Sequence, residues 1–138
     1  MASKIHQFIL SLIVRKMKLE GYEIIAYDGD YSKIENMALK IPFKIMRHRP
    51  DIIGISLDKS KICIGEVKTN SDLRSGRTKE EFVDFASIGD AVGKSIKLII
   101  GAPKSSNHLL FKIITELKLQ NNNNIEYIIV PEELFANA

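Results

Sequence analysis

Two carboxylates and an ammonium bracket a pair of apolar runs near the middle of the chain. Asp51 stands just before Ile52, Ile53 and Ile55, while Glu66 and Lys68 close a second run that holds Ile62, Cys63 and Ile64. Both runs read as strands, and the polar break between them contains Asp58 and Lys59. Carboxylates a few ångströms apart repel each other, so a site that gathers them at strand ends calls for a cation. Oxygen ligands suit Mg2+ or Mn2+, ions that usually keep several waters and accept phosphate oxygens. An ammonium beside such an ion can hold or help deprotonate an attacking water, or serve as a point charge on phosphate. These parts together describe phosphodiester hydrolysis.

Strand parity decides whether the three side chains meet. Opposed residues of an antiparallel pair share a face, as do residues two apart on one strand. A two-residue loop at Asp58 and Lys59 sets Asp51 opposite Glu66, and a four-residue loop ending at Lys61 sets it opposite Lys68. Either loop puts all three on one face. A three-residue loop does so only with a bulge.

The wording around these residues resembles a known family. Arg49-Pro50-Asp51-Ile52-Ile53-Gly54, followed by Ile64-Gly65-Glu66-Val67-Lys68-Thr69, is similar to the PD-(D/E)xK signature of restriction endonuclease-like nucleases, nearest to the small archaeal Holliday-junction-resolvase-like branch. The resemblance implies an α/β fold with an αβββαβ core, a mixed central sheet with helices on both faces, and one such domain over residues 1–138. It implies an Mg2+-dependent DNA endonuclease, with Mn2+ able to substitute, acting as a homodimer. Asp51, Glu66 and the backbone carbonyl of Val67 become the metal ligands, and Lys68 joins Asp51 and Glu66 as catalytic. Many relatives carry a further glutamate early in the first helix. This chain has none before Glu20, and His6 and Gln7 are the polar residues nearest that place. Glu23 on the first strand and Glu35 further on are the substitutes available, Glu35 the better of the two, and Ser32 stands where resolvases tend to carry a serine. Arg47, Arg49, Arg74 and Arg77 are the candidate nucleic-acid contacts. The alternative is a nuclease-fold protein without turnover that binds nucleic acid or protein; RNA in place of DNA uses the same site.

Composition sets bounds. With 45% apolar and 27% charged residues over 138 positions, the chain reads as one globular domain rather than a disordered segment. A net charge of +3 permits a nucleic-acid partner without demanding one. Cys63 is the single cysteine, so no intrachain disulfide forms, and its apolar setting reads as core. His6, His48 and His108 are too dispersed for a zinc spacing. The apolar run from Phe8 to Val14 is too short to span a bilayer, and an intracellular, cytoplasmic location follows as the expectation.

Around the hairpin, the pattern predicts a helix from a Ser3 cap to about Glu20, with Ile5, Phe8, Ile9, Leu12, Ile13 and Met17 inward. Tyr22–Tyr27 reads as the first strand. Ser32–Lys40 suggests a short helix, and Phe43–Met46 a backward extension of the second strand. Asn70–Arg77 reads as a polar loop that presents Arg74 and Arg77. Thr78 caps a helix in a capping box with Glu81, its inner face being Phe82, Phe85, Ala86, Gly89 and Val92. Then come a strand at Ile96–Ile100, a helix opened by Ser105 or Ser106 with Leu109, Leu110, Ile113, Ile114 and Leu117 inward, an asparagine loop at 121–124, a strand at Ile125–Val130, and a turn of helix from Pro131. Strands alternating with helices in the second half favour parallel crossovers.

Overall fold

The computed structural model describes residues 4–28, 45, 48–92 and 95–134, with backbone alone for 88–92. Helix α1 (Lys4–Leu19) leads into β1 (Tyr22–Tyr27), and β2 (Ile52–Ser56) and β3 (Lys61–Val67) follow as a hairpin. A single helical turn, α2 (Asn70–Leu73), precedes α3 (Gly76–Val92), then β4 (Ser95–Pro103), α4 (Asn107–Glu116) and β5 (Ile125–Val130). The five strands form one sheet in sequence order. The first three are antiparallel and the last two add in parallel to β3, so the sheet is mixed α/β as expected.

The hairpin adopts the register of the two-residue loop. Ile52 pairs with Gly65 and Ile55 with Ile62, so the next rung outward sets Asp51 against Glu66. Its turn is built by Asp58, whose Oδ1 accepts Ser56 Oγ at 2.7 Å, Ser60 Oγ at 2.7 Å and the Ser60 amide at 3.0 Å. The Ser56 hydroxyl, with the amide and hydroxyl of Ser60, holds this carboxyl well below the usual carboxylate range. Lys59 takes the left-handed conformation at φ 63° that closes the turn.

Two apolar layers sandwich the sheet. On one face Ile9, Leu10, Ile13, Val14 and Met17 of α1 meet Ile52, Cys63, Val67 and Ile99. On the other, Phe82 and Phe85 of α3 and Leu110, Ile113 and Ile114 of α4 meet Ile64, Leu98 and Ile100. The five α1 side chains, at roughly 1.5–3 kcal/mol each for full burial, make this helix an integral layer. Cys63 lies within that core, where burial pushes its thiol up to about 12.

The stripe of α1 is rotated from the expected one. Leu10 and Val14 are buried, Phe8 and Leu12 only partly so, and Ile5 is exposed. The cause lies in the sheet beneath. A Cβ on Gly65 would stand 2.8 Å from Ile13 and 2.9 Å from Met17, and one on Gly101 would meet Ile9 and Ile13. These two glycines let Ile9, Ile13 and Met17 settle onto the backbone of β3 and β4, which turns Leu10 and Val14 inward. The same rotation carries His6, one turn before Leu10, toward the strand ends.

Other boundaries differ for local reasons. Asn70–Arg77 is not a plain loop. Leu73 is buried there and nucleates α2, with Asp72 accepting the Thr69 amide at 2.9 Å and the Thr69 hydroxyl at 3.0 Å. Thr78 lies inside α3 rather than capping it, and its hydroxyl donates to the Asp72 carbonyl. Strand β4 runs on to Pro103 because Gly101 and Ala102 continue to pair with β5. Lys104–Ser106 forms a 3-10 turn ahead of α4, and Glu132–Leu134 forms another after Pro131. Ile45 bridges to His48. The remaining expectations for 29–44 and 46–47, and the Ser3 cap, lie outside the described residues. Among the described residues no helix is long and apolar enough to cross a membrane.

Candidate active site

The hairpin register builds the site by linking its two carboxylates across the strands. The Asp51 amide donates to Glu66 Oε1 at 2.7 Å, and the Val67 amide donates to Asp51 Oδ2 at 3.0 Å. Each side chain therefore replaces a ladder bond at the point where β2 and β3 part. Lys68 stands one step past β3, with its amide bonded to the Gly101 carbonyl at 2.9 Å. The Asp51 carbonyl accepts the Asp28 amide at 2.8 Å, which ties the end of β1 to the same place. The site thus occupies the carboxyl ends of β3 and β4, where parallel strands open toward their crossovers.

Burial grades the three groups. The Glu66 side chain is 2% exposed, Lys68 8% and Asp51 19%. Lys68 Nζ lies 3.3 Å from Glu66 Oε2 and 3.1 Å from both oxygens of Glu81. Burial drives the Glu66 carboxyl well above its ordinary value, and the negative charge of Asp51 pushes it further than Lys68 can offset. Burial works against the charge of Lys68, but the carboxylates of Glu66 and Glu81 outweigh it and raise that group. His6 Nε2 reaches 3.6 Å from Asp51 Oδ2, and Arg77 Nε 3.7 Å from Glu81 Oε1.

These groups line a cleft of about 360 Å³ whose walls include Arg49, Asp51, Glu66, Val67, Lys68 and Arg77. The proposed chemical triad of Asp51, Glu66 and Lys68 is therefore gathered in one place, with two of the four arginines beside it. Arg74 is exposed outside the cleft lining. Arg47, Glu35 and Ser32 lie outside the described residues. Among the described residues no three His, Cys, Asp or Glu side chains close into a full metal cage. Two carboxylates at a strand end, one of them buried, suit an ion that keeps most of its waters, such as Mg2+ or Mn2+. They do not make the closed four-ligand shell of a structural zinc.

Glu81 is the site residue that sequence reasoning placed elsewhere, as the capping partner of Thr78. A signal for it existed: Thr78, Glu81, Phe82 and Phe85 form one buried helical stripe, and a carboxylate inside such a stripe requires a buried partner. His6 gave a weaker signal of the same kind, preceding Leu10 by one turn.

No family model matches the chain, and no curated protein matches it. Among solved structures, the chain is similar to SfsA from Pyrococcus furiosus, determined in complex with Ca2+, at 13% sequence identity and a TM-score of 0.51. The match covers 92% of this chain and 54% of that one, so this chain spans about half the length of the protein it matches. The likeness is one of fold alone: a mixed α/β core.

Proposed function

We propose that this chain is a metal-dependent nuclease that hydrolyses phosphodiester bonds in DNA, with Mg2+ or Mn2+ held by Asp51, Glu66 and the Val67 carbonyl. The observation that carries the reading is the convergence of Asp51, Glu66 and Lys68 on one cleft at the ends of β2 and β3. The bound ion would supply Lewis acidity, making a water nucleophilic near neutral pH and drawing charge from the phosphate. Lys68, whose hold on its proton the carboxylates of Glu66 and Glu81 strengthen, is assigned the part of a hydrogen-bond donor. Its ammonium orients the attacking water and stabilises charge developing on the phosphate oxygens. The water oxygen would bond to phosphorus as the bond to the leaving sugar oxygen breaks, the proton released by the attacking water passing to bulk solvent and the leaving oxygen taking one up from solvent water. Arg49 and Arg77 line the cleft and would contact backbone phosphates, which fixes position without reading sequence. Arg47 and Arg74 extend this set in the proposal. A homodimer, with two clefts addressing two strands, suits branched or junction DNA.

The test is divalent-ion-dependent cleavage of a four-way junction, a flap, single-stranded DNA, linear duplex and structured RNA. Glu66→Ala and Lys68→Ala run beside the parent. Cleavage lost in both variants supports the site, and the preferred substrate separates junction resolution from general DNA or RNA cleavage. Folded protein that cuts nothing yet binds DNA without metal replaces the reading with that of a binding module.

A further inference from the structure

The closest ion pair of the cleft involves neither proposed carboxylate ligand. Lys68 Nζ is 3.1 Å from each oxygen of Glu81 and 3.3 Å from Glu66 Oε2, and the three side chains are at most 8% exposed. An ammonium this close to Glu66 is an internal cation: it competes for the same carboxylate and repels any divalent ion arriving there. With Glu66 as its sole partner, Lys68 would occupy the role that the ion must fill.

We propose that Glu81 is a positioning residue acting through Lys68, whose two-oxygen grip draws the ammonium toward α3 and leaves the Glu66 carboxylate open to a divalent ion. The inference rests on the metal-site reading above and adds the residue that sets ion affinity. Two features equip Glu81 for this. Phe82 and Phe85 are fully buried beside it, and Thr78 is tied to the Asp72 carbonyl one turn before, so its backbone is fixed against the sheet. Its solvent side meets Arg77 Nε at 3.7 Å, which offsets the charge that Lys68 shares with Glu66. A carboxylate in this apolar stripe is costly without a cation, and Lys68 is the buried one it meets.

The experiment is Mn2+ binding to metal-free protein without DNA, followed by paramagnetic resonance and calorimetry. It compares the parent with Glu81→Gln, Lys68→Met and the double variant. Glu81→Gln should weaken Mn2+ by about tenfold or more, the usual scale for a group that orients a site from behind its ligands. Lys68→Met should bind at least as tightly as the parent, and adding Glu81→Gln to it should then cost no affinity. Glu81→Asp keeps the charge with a shorter reach; it should show an intermediate loss and carries the same comparison if Glu81→Gln does not fold. Parent protein that binds Mn2+ while Glu81→Gln binds it equally overturns the inference alone. An equal loss from Glu81→Gln with or without Lys68 also overturns it, since Glu81 then acts on structure in general. Parent protein that binds no Mn2+ overturns the metal-site reading and this inference together.

Discussion

The two ends of the sheet each gather lysines and carboxylates, with opposite results. At the end where β4 and β5 begin, Lys16 lies 2.7 Å from Glu20 and 3.0 Å from Glu126, while Lys97 lies 2.9 Å from Glu20 and 2.7 Å from Glu126. Two cations alternate with two anions in a closed ring, and each side chain is 26–34% exposed. Glu126 is lowered by its bond to Lys97, and Lys97 is raised by Glu126 and Glu20. At the other end, one ammonium meets the buried carboxylates of Glu66 and Glu81, with Asp51 beside them, and Glu66 is driven upward. The ring is balanced and wet, so it ties α1 to β4 and β5 and asks for nothing more. In the cleft the charges are unbalanced and the Glu66, Lys68 and Glu81 side chains are buried, so one of its carboxylates must either take a proton or meet a cation.

The comparison predicts a steep asymmetry on mutation. Glu66→Ala should abolish divalent-dependent cleavage, and Lys68→Ala should lower its rate by roughly 10²–10³-fold, the scale for losing one oriented donor. Lys97→Ala and Glu126→Ala, in contrast, should leave cleavage intact in a single-turnover assay, because the ring touches no part of the cleft. Cleavage lost in the ring variants as well would erase the distinction between the two ends.

Next in size is the seating of α1, which serves both ends. Gly101→Ala would drive a Cβ into Ile9 and Ile13, and overpacking of this kind costs about 1–3 kcal/mol, measurable by denaturant unfolding. Gly65→Ala, meeting Ile13 and Met17 one residue before Glu66, should show a comparable loss. A neutral result at both positions would mean that α1 does not rest on the sheet through these glycines.

The pH dependence of stability should also separate the ends, with opposite signs. Glu66 is raised above its ordinary 4.5, so the stability it contributes is present below that pH and is lost as pH climbs through its folded value. Metal-free protein should therefore lose stability from about pH 4.5 upward relative to Glu66→Gln, and saturating Mn2+ should remove the difference. Glu126 is lowered, so its stability is present above 4.5 and lost as pH falls through its folded value, a limb that Glu126→Gln should flatten. Thermal melts across pH with these variants check both slopes. The smallest expected effect lies at the hairpin tip, where Lys59→Gly relieves the left-handed backbone at φ 63° and should stabilise by about 1 kcal/mol.

What the sequence disclosed follows from the range of the interactions involved. The Asp51–Glu66–Lys68 grouping rests on strand parity and one short turn, both local, and the two-residue register was among the alternatives that parity allowed. The partnership of Lys68 with Glu81 spans thirteen residues and depends on α2, whose existence turns on the burial of Leu73 within an otherwise polar stretch. Nothing in that stretch announces how it folds back. The facing of His6 depends on the depth at which α1 meets Gly65 and Gly101, a tertiary fit that helical periodicity does not specify. The strand and helix order was legible because hydrophobic period and turn residues agreed along most of the chain; the ends of β4 and α3 were not, because pairing and packing extend them past the propensity signal.

The most direct test of the contrast between the two ends is a Mn2+ titration of three proteins: the parent, Glu66→Gln, and the ring variant Glu20→Gln/Glu126→Gln. Saturable binding is expected in the parent, the same affinity in the ring variant, and loss of binding in Glu66→Gln. Equal binding in parent and Glu66→Gln, or loss of binding in the ring variant alone, would contradict it.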